Sequence, residues 1–401
     1  MSDTTPHKRL LVLTFGTFVM GTGNLVFTGV LGELAGDLGV SEGSAGLLVT
    51  IYAVVVIVGS PILVSLTGTV ARKRLLLGTV LLYGVTNAVA AILPTFELLV
   101  FDRAIIAVGA AIFVPVAVSV AAALAPAGKK GQAIGLVVAG SAGSFVVGLP
   151  LGTLIGGYGG WRATFAFVGS IALLAFIGLW VFLPSVEATD STVGLQALQV
   201  IRRPAVIVNI GLITTAFTSV FVGVTFIGPL LRNITGFGNT GVSLLQLLLG
   251  VGGIGGATVG GYGSDHWNTT KMLLGIFVGV ILGIFPFWLL APVAGSIGAI
   301  VGAIAALMIG ASAVFALIPT QQNRLLQAAP ESREVVLALT LSGQFLGIAL
   351  GSAIGSVTLT VLDSYASLGL VGALIGVGGL GAVSYLYVTG DRMVMPRSSD
   401  A

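Results

Sequence analysis

The chain has 401 residues, of which 56% are hydrophobic and only 8% are charged, with 60 glycines and no cysteine. A soluble domain carries roughly 25% charged residues, so this composition excludes an ordinary soluble protein and indicates closely packed transmembrane helices, whose interfaces favour small residues. The formal net charge of +3 is too small to indicate a nucleic-acid partner, and the lack of cysteine excludes a disulfide framework and a thiolate metal site.

Twelve apolar runs follow one another along the chain, and each is long enough to cross the ~30 Å hydrocarbon core of a bilayer as a helix. The first run begins after Lys8 and Arg9 and lacks a small-residue cleavage site, so we interpret it as a retained helix and not as a signal peptide. Because runs without alternation do not suit a barrel, the chain is predicted to be an all-α polytopic membrane protein. The runs lie at about 10–31, 45–66, 75–93, 98–123, 133–156, 164–183, 205–228, 241–261, 272–290, 294–318, 335–357 and 367–388.

A polar stretch separates the sixth run from the seventh. We predict that residues 184–204 are a cytoplasmic linker between an N-terminal six-helix half, residues 1–183, and a C-terminal six-helix half, residues 205–401. The halves echo each other weakly, since Gly-Glu-Leu at 32–34 is answered by Gly-Pro-Leu at 228–230. Transporters of this size are built from two such halves, related by an axis along the membrane normal.

The Lys and Arg residues of the connecting segments predict the orientation. With a cytoplasmic N-terminus, fourteen of them fall inside, among them the cluster at 72–74 and Arg324, and only Arg162 and Arg232 fall outside. Such an excess of inside cations predicts a multi-pass protein of the cell inner membrane with both termini in the cytoplasm.

Two charged residues lie within the fourth run or at its margin. Arg103 lies about six residues from the outer end of the run, at a depth of roughly 9 Å, where a guanidinium is costly unless it is paired or wetted. It is either a cationic group facing a substrate cavity or a structural brace that donates to backbone carbonyls or to Asp102. Asp102 is either an interfacial residue in contact with water or a proton carrier. Since consecutive helical residues point about 100° apart, the two cannot both face one cavity squarely.

Neutral polar side chains also fall inside the runs. Asn24 and Thr28 are four residues apart and share a helical face. A single amide or hydroxyl at this depth is often explained by a hydrogen bond to a neighbouring helix, worth about 0.6 kcal/mol, and an aromatic ring by packing, but together such groups can line a cavity. The candidate substrate-binding residues are Asn24, Thr28, Tyr52, Arg103, Phe113, Ser141, Gln246, Gln344 and Phe345.

Several classes of function are excluded. His7 and His266 are the only histidines and neither has an acidic partner at metal-ligand spacing, so no metal site is predicted. There is no phosphate-binding loop for ATP, and the runs offer neither two facing aspartates nor zinc ligands for an intramembrane protease. The chain is therefore predicted to be neither an enzyme nor a cofactor-binding protein.

Five segments, in the right order, resemble the major facilitator superfamily, specifically its efflux branch of drug:proton antiporters and sugar or nucleoside exporters. The resemblance covers essentially the whole chain. It implies twelve transmembrane helices in two pseudo-symmetric six-helix halves, and a functional monomer. The segments are 21–26 continued by 37–41, the loop segment 72–77, Asp102-Arg103 with Gly109, the helix-5 segment 148–152 with Gly156-Gly157, and the helix-11 segment 343–355.

The resemblance implies a secondary active transporter that exports a small organic molecule (a drug, sugar or nucleoside-like compound) by alternating access, with a proton as coupling ion. Asn24 stands where the branch commonly has an acidic residue, which favours the alternative of an uncoupled uniporter or facilitator. Gly68 stands near the usual aspartate of the first-half loop. Residues 148–150 are expected to break the fifth helix. The candidate coupling and gating residues are Asp102, Arg72, Arg74, Gly148, Pro150 and Asp265.

Overall fold

The computed structural model describes residues 5–125, 130–186, 200, 202–329 and 333–389, and nearly all of these residues are helical. The α-helices of the first part of the chain are α1 (Thr5–Leu25), α2 (Leu31–Asp37), α3 (Glu42–Leu66), α4 (Arg72–Ala90), α5 (Phe96–Leu124), α6 (Lys130–Gly143) and α7 (Leu149–Phe182). Those of the second part are α8 (Pro204–Val224), α9 (Ile227–Thr235), α10 (Asn239–His266), α11 (Thr269–Ile284), α12 (Pro286–Leu290), α13 (Ile297–Ala328), α14 (Arg333–Leu362) and α15 (Tyr365–Val388).

Within the described residues, eleven helical segments are long and apolar enough to cross a membrane. The predicted run without a counterpart among these eleven is the third, at about 75–93; it corresponds to α4, whose first turn carries three basic residues, which makes the helix less apolar overall. The predicted all-α polytopic fold is confirmed.

The first predicted run is not one continuous helix. Helix α1 ends at Leu25, a turn at Val26–Phe27 follows, and a short 3-10 segment, Thr28–Val30, leads into α2. The Thr28 hydroxyl donates to the Leu25 carbonyl at 2.8 Å, so a side chain supplies the hydrogen bond to a carbonyl at the end of the helix. Hydroxyl side chains compete in this way with the helical hydrogen-bond pattern. We call residues 25–28 the α1 break.

The seventh predicted run is interrupted in the same manner. Helix α8 ends at Val224 and α9 begins at Ile227, and the Thr225 hydroxyl donates to the Phe221 carbonyl at 2.9 Å. The two halves of the sequence therefore share a broken first helix. This similarity is stronger than the weak sequence echo suggested.

The expected break at residues 148–150 is instead a widened turn. A π-helical segment, Ser144–Gly148, continues directly into α7, so the fifth span is not interrupted there. The direction of the chain changes later, at Gly160, which has φ 76° and ψ 165°. Only glycine adopts this conformation at little cost. The kink at Gly160 therefore separates the fifth span from the sixth within α7.

By its internal contacts the chain divides into two compact units, Met1–Thr192 with Gly238–Leu244, and Val193–Phe237 with Leu245–Ala401. In the first unit α1 packs on α6 and α7, α3 on α5, and α4 on α5 and α7. In the second unit α8 packs on α14 and α15, and α11 on α13 and α15. Helix α10 begins in the first unit and continues in the second.

Glycines at every fourth position bring α10 against α13 in the second unit. A Cβ at Gly256 would lie 2.1 Å from the carbonyl oxygen of Ser312, and Gly252 and Gly260 meet the same helix one turn away on either side. The Ser312 hydroxyl uses this closeness to donate to the Gly252 carbonyl at 2.9 Å. Small residues at this spacing let helix backbones approach closely in a membrane.

Candidate functional site

The α1 break leaves backbone carbonyls at the end of α1 that need donors from elsewhere, because the last carbonyls of a helix have no intrahelical partner. Arg103 of α5 supplies two of them. One terminal nitrogen of its guanidinium donates to the Gly23 carbonyl at 2.8 Å and the other donates to the Asn24 carbonyl at 2.9 Å. Arg103 is fully buried. Its positive charge lies at the C-terminal end of α1, where the helix dipole favours a cation.

Aromatic side chains surround the guanidinium. Its central carbon lies 4.9 Å from the ring centre of Phe27 and 5.0 Å from that of Tyr52. The hydroxyls of Tyr52 and Tyr83 donate to the Met20 carbonyl at 3.3 and 2.8 Å. Cation–π contacts of this kind contribute about 2 kcal/mol when they are desolvated. We call this group, Arg103 with Phe27, Tyr52 and Tyr83, the α1 clamp.

The α1 clamp has the geometry of a structural brace, one of the two alternatives for Arg103. Both terminal nitrogens donate to backbone carbonyls and not to Asp102. The Nε atom of Arg103 is buried and has no hydrogen-bond partner in the described part of the protein. The sequence had pointed to Arg103 and Tyr52 but not to Tyr83 or Phe27. A tyrosine in the centre of the third run was the available signal for Tyr83.

Two polar side chains close to the α1 clamp in sequence have atoms without partners. Asn24 is 6% exposed, and its Oδ1 atom is buried with no hydrogen-bond partner in the described protein. Asp102 is 5% exposed, and the same holds for its Oδ2 atom. Buried polar atoms usually have a partner, so each of these two oxygens retains an unused capacity to accept a hydrogen bond.

The remaining candidates of the first unit are packed or bonded within it. Thr28 is fully buried. A Cβ at Gly16 would lie 2.2 Å from the Phe113 ring, so this ring fills the space beside α1. Ser141 is half-buried, and its carbonyl accepts from the Ser144 hydroxyl at 2.6 Å. Phe113 therefore occupies a packing position.

The first turns of α10, which belong to the first unit, contact the fifth span at the candidate gating residues. The Ser243 hydroxyl donates to the Pro150 carbonyl at 2.7 Å, and this contact is buried. The Asn239 amide donates to the Gly157 carbonyl at 3.1 Å and lies 3.3 Å from a carboxylate oxygen of Glu33. These contacts fix the start of α10 on the stretch around Pro150.

A second set of contacts on the first unit fixes the end of α2. The Asp37 carboxylate accepts from the Trp161 indole at 3.0 Å and forms an ion pair with Arg162. The Arg162 guanidinium also lies 4.3 Å from the Trp161 ring centre. The ion pair ties α2 to the residues just after the kink at Gly160.

The basic cluster at the start of α4 divides into three different environments. Arg72 is buried, and its backbone N–H donates to the Val186 carbonyl at 3.0 Å. The Lys73 ammonium donates to the carbonyls of Trp180, at 2.9 Å, and Leu183, at the C-terminal end of α7. Arg74 is exposed. The cluster therefore holds the end of the sixth span in place through Arg72 and Lys73, whereas the Arg74 side chain lies on the surface.

In the second unit the main polar cluster surrounds Arg324, which the sequence placed in a connecting loop. Helix α13 continues through Pro319 to Ala328, so Arg324 is helical and fully buried. Its guanidinium donates to Asn209 at 3.0 Å and to the hydroxyls of Thr269 and Thr270, each at 3.0 Å. The assignment of Arg324 to a loop was wrong. The predicted run ended at about residue 318, whereas the helix continues to Ala328.

The other candidates of the second unit occupy separate positions on it. Gln246 is fully buried in α10, whereas Gln344 and Phe345 of α14 are half-buried. Asp265 lies in α10, but its side chain falls outside the part of the protein that the structure describes.

The candidate gating residue Gly148 belongs to the first unit. It lies against α1, since a Cβ there would meet the Thr22 hydroxyl at 2.3 Å.

Known proteins are similar to this chain over most of its length. Residues 13–352 match the family model described as Major Facilitator Superfamily. The chain is 31% identical over 366 residues to an uncharacterized MFS-type transporter of Bacillus subtilis (strain 168), YbcL, covering 91% of this chain and 92% of that protein. It is 34% identical over 261 residues to a chloramphenicol resistance protein of Streptomyces lividans, covering 64% of this chain and 67% of that protein. Among solved structures, a D-xylose-proton symporter matches with a TM-score of 0.78 at 17% identity, over 98% of this chain and 99% of that one.

Proposed function

The chain belongs to the major facilitator superfamily and is a multi-pass membrane transporter of a small molecule, not an enzyme; from this premise we propose that it exports an uncharged organic molecule. Export proceeds by alternating access, with protons moving in the opposite direction. The protein works as a monomer in the cell inner membrane, with both termini in the cytoplasm.

The observation that carries export is the similarity to a chloramphenicol resistance protein. A membrane transporter gives resistance to an antibiotic most simply by moving it out of the cell. Chloramphenicol is therefore the first probe, and sugars and nucleosides are the further classes that the resemblance of the sequence implies.

The α1 clamp supports an uncharged substrate. The terminal nitrogens of Arg103 are occupied by the carbonyls of Gly23 and Asn24, so the guanidinium is not available as the main site for an anion. Close by in sequence, the buried Oδ1 atom of Asn24 has no hydrogen-bond partner among the described residues. An amide oxygen accepts hydrogen bonds, which suits a ligand with hydroxyl or amide donors.

Flux through the purified chain in proteoliposomes tests this proposal, with radiolabelled chloramphenicol as probe and D-xylose as comparison. We expect chloramphenicol to be transported and Asn24→Ala to reduce the flux. The matched control is Ser170→Ala, which removes an exposed hydroxyl that donates within its own helix. Equal flux in liposomes with and without protein would contradict the proposal.

The alternative function is uncoupled transport, which Asn24 favours because an amide cannot titrate. A pH-sensitive dye inside the proteoliposomes distinguishes the two. Substrate movement accompanied by an opposite proton movement supports antiport. Substrate movement without any pH change supports a facilitator and would exclude the antiporter.

A further inference from the structure

Asp102 is the buried carboxylate of the first unit that the described contacts leave without a role. It lies in α5, six residues after the first residue of the helix, and is 5% exposed. Its Oδ2 atom has no hydrogen-bond partner, and the ion pair found among the described residues joins Asp37 to Arg162 and does not include Asp102. Burying an ionised carboxylate without such partners is costly.

The adjacent cation does not supply the missing hydrogen bond within the described protein. Arg103 follows Asp102 in the chain, but its two terminal nitrogens donate to the end of α1. Neighbouring helical residues point about 100° apart. The terminal nitrogens of the guanidinium are therefore bonded to the end of α1 and do not donate to the Asp102 carboxylate.

The charged groups on the helices packed against α5 lie at other levels of the membrane. On α3, Gly59 packs on Ala111, and this register places Thr50 level with Asp102, so that Glu42 lies roughly 12 Å further out. On α4, Gly109 packs on Tyr83, and the basic first turn of α4 therefore lies roughly 25 Å from the level of Asp102.

The same argument applies to the remaining neighbours of α5. Arg103 meets α1 at Gly23 and Asn24, so Lys8 and Arg9 lie roughly 20 Å or more along the membrane normal from Asp102. Glu97, on α5 itself, is exposed. The side chain of Lys130, at the start of α6, falls outside the described part of the protein. Tyr52 and Tyr83 are phenols that are neutral near pH 7. Arg103 is thus the cation at the level of Asp102.

We propose that Asp102 is the proton-binding group of this transporter. This inference rests on the proposed function and names the site of its coupling ion. A proton from water adds to a carboxylate oxygen of Asp102, forming an O–H bond, and leaves again to water as that bond breaks. Protonation removes a buried negative charge whose Oδ2 atom has no hydrogen-bond partner among the described residues. It also removes the negative charge next to Arg103 in the chain. The same guanidinium holds the end of α1, so protonation of Asp102 changes the electrostatic environment of the group that stabilises the α1 break.

Infrared spectroscopy of the purified full-length chain tests proton binding without any substrate. Spectra recorded in H2O and D2O from about pH 5 to about pH 9, where perturbed carboxyl groups titrate, report a protonated carboxyl by its C=O stretch. We expect a titrating band in the wild type that is missing in Asp102→Asn. Glu97→Gln, which removes an exposed carboxylate of the same helix, is the matched control and retains the band. A band that persists in Asp102→Asn, or no band in the wild type, would overturn the proposal.

Proteoliposomes with an internal pH dye test the coupling itself. In the wild type a chloramphenicol gradient drives protons in the opposite direction. In Asp102→Asn we expect the proton movement that accompanies chloramphenicol flux to fall to the background leak of protein-free liposomes, so that the number of protons moved per chloramphenicol approaches zero. Asp102→Glu restores proton movement, which separates loss of the carboxyl group from misfolding. An unchanged ratio in Asp102→Asn contradicts the proposal. If the wild type moves no chloramphenicol, the proposed function fails, and the infrared titration alone decides whether Asp102 binds a proton.

Discussion

Replacing Arg103 by alanine removes the donors that hold the end of α1. The guanidinium is fully buried and donates to the carbonyls of Gly23 and Asn24 at 2.8 and 2.9 Å. Because the turn that follows takes the chain out of the helix, no continuing helix supplies substitute donors. Both carbonyls then lack their side-chain donors. Arg103→Lys is the conservative variant, since an ammonium keeps the charge but lacks the planar pair of donors.

The size of the effect follows from these contacts. A buried carbonyl left without a donor costs about 1–3 kcal/mol, so two cost about 2–6 kcal/mol. The cation–π contacts with Phe27 and Tyr52 add about 2 kcal/mol when desolvated. Removal of a buried charge offsets several kcal/mol of this loss. We therefore expect Arg103→Ala to lower the free energy of unfolding by about 2–4 kcal/mol, and Arg103→Lys to lower it by roughly half as much.

Thermal unfolding of the purified protein, followed by the fluorescence of its four tryptophans, measures this effect. At about 2–4 °C per kcal/mol for a unit of 150–250 residues, the midpoint should fall by at least about 4 °C in Arg103→Ala. Arg74→Ala, which removes an exposed cation of α4, is the control and should leave the midpoint unchanged. An Arg103→Ala protein that unfolds at the wild-type temperature would refute the structural role of the α1 clamp.

Three further predictions concern packing, coupling and topology. Gly256→Leu should abolish folded protein on size-exclusion chromatography, because a Cβ there lies 2.1 Å from a carbonyl oxygen of α13, whereas Gly255→Leu, with nothing within 4 Å, should be tolerated. Asn24→Asp should introduce a pH dependence of flux, since it adds a titratable group beside the α1 break, and an unchanged pH profile would separate position 24 from the coupling route. In this cysteine-free chain, an impermeant maleimide should label Asn233→Cys in intact cells but Thr69→Cys only after permeabilisation, and the reverse pattern would invert the topology.

The spans could be predicted because membrane insertion depends on the average apolarity of a window of about 20 residues. The break in the first span could not, because a turn at Val26 and Phe27 does not change that average. The contacts at the break come from the hydroxyl of Thr28 and from the guanidinium of Arg103, which is about 80 positions away in sequence. Similarly, the extension of α13 past Pro319 was missed because the residues after it are polar and show no apolar pattern. Hydrogen bonds with neighbouring helices hold these polar residues in the helix.

The candidate site could be predicted only in its residue types. Charge and polarity inside apolar runs pointed to Asn24, Tyr52, Asp102 and Arg103, since such residues are costly in a membrane and need partners or a function. The pattern left two alternatives for Arg103, and its contacts with the Gly23 and Asn24 carbonyls have the form of the brace. The pattern also gave no reason to pair Arg103 with Tyr83, because helical periodicity does not say which neighbouring helix a face meets.

The sequence alone determined that this protein is a polytopic helical membrane protein, because the transfer of a segment into a bilayer depends on its composition and on loop charge, and hardly on the neighbours of a residue. Only the tertiary structure decided the partner of each buried polar group. A guanidinium, an amide and a carboxylate at membrane depth differ in function according to the donors and acceptors within about 3 Å, and those belong to helices distant in sequence. Arg103 donates to two carbonyls of α1, whereas the Oδ2 atom of Asp102 has no hydrogen-bond partner in the described protein.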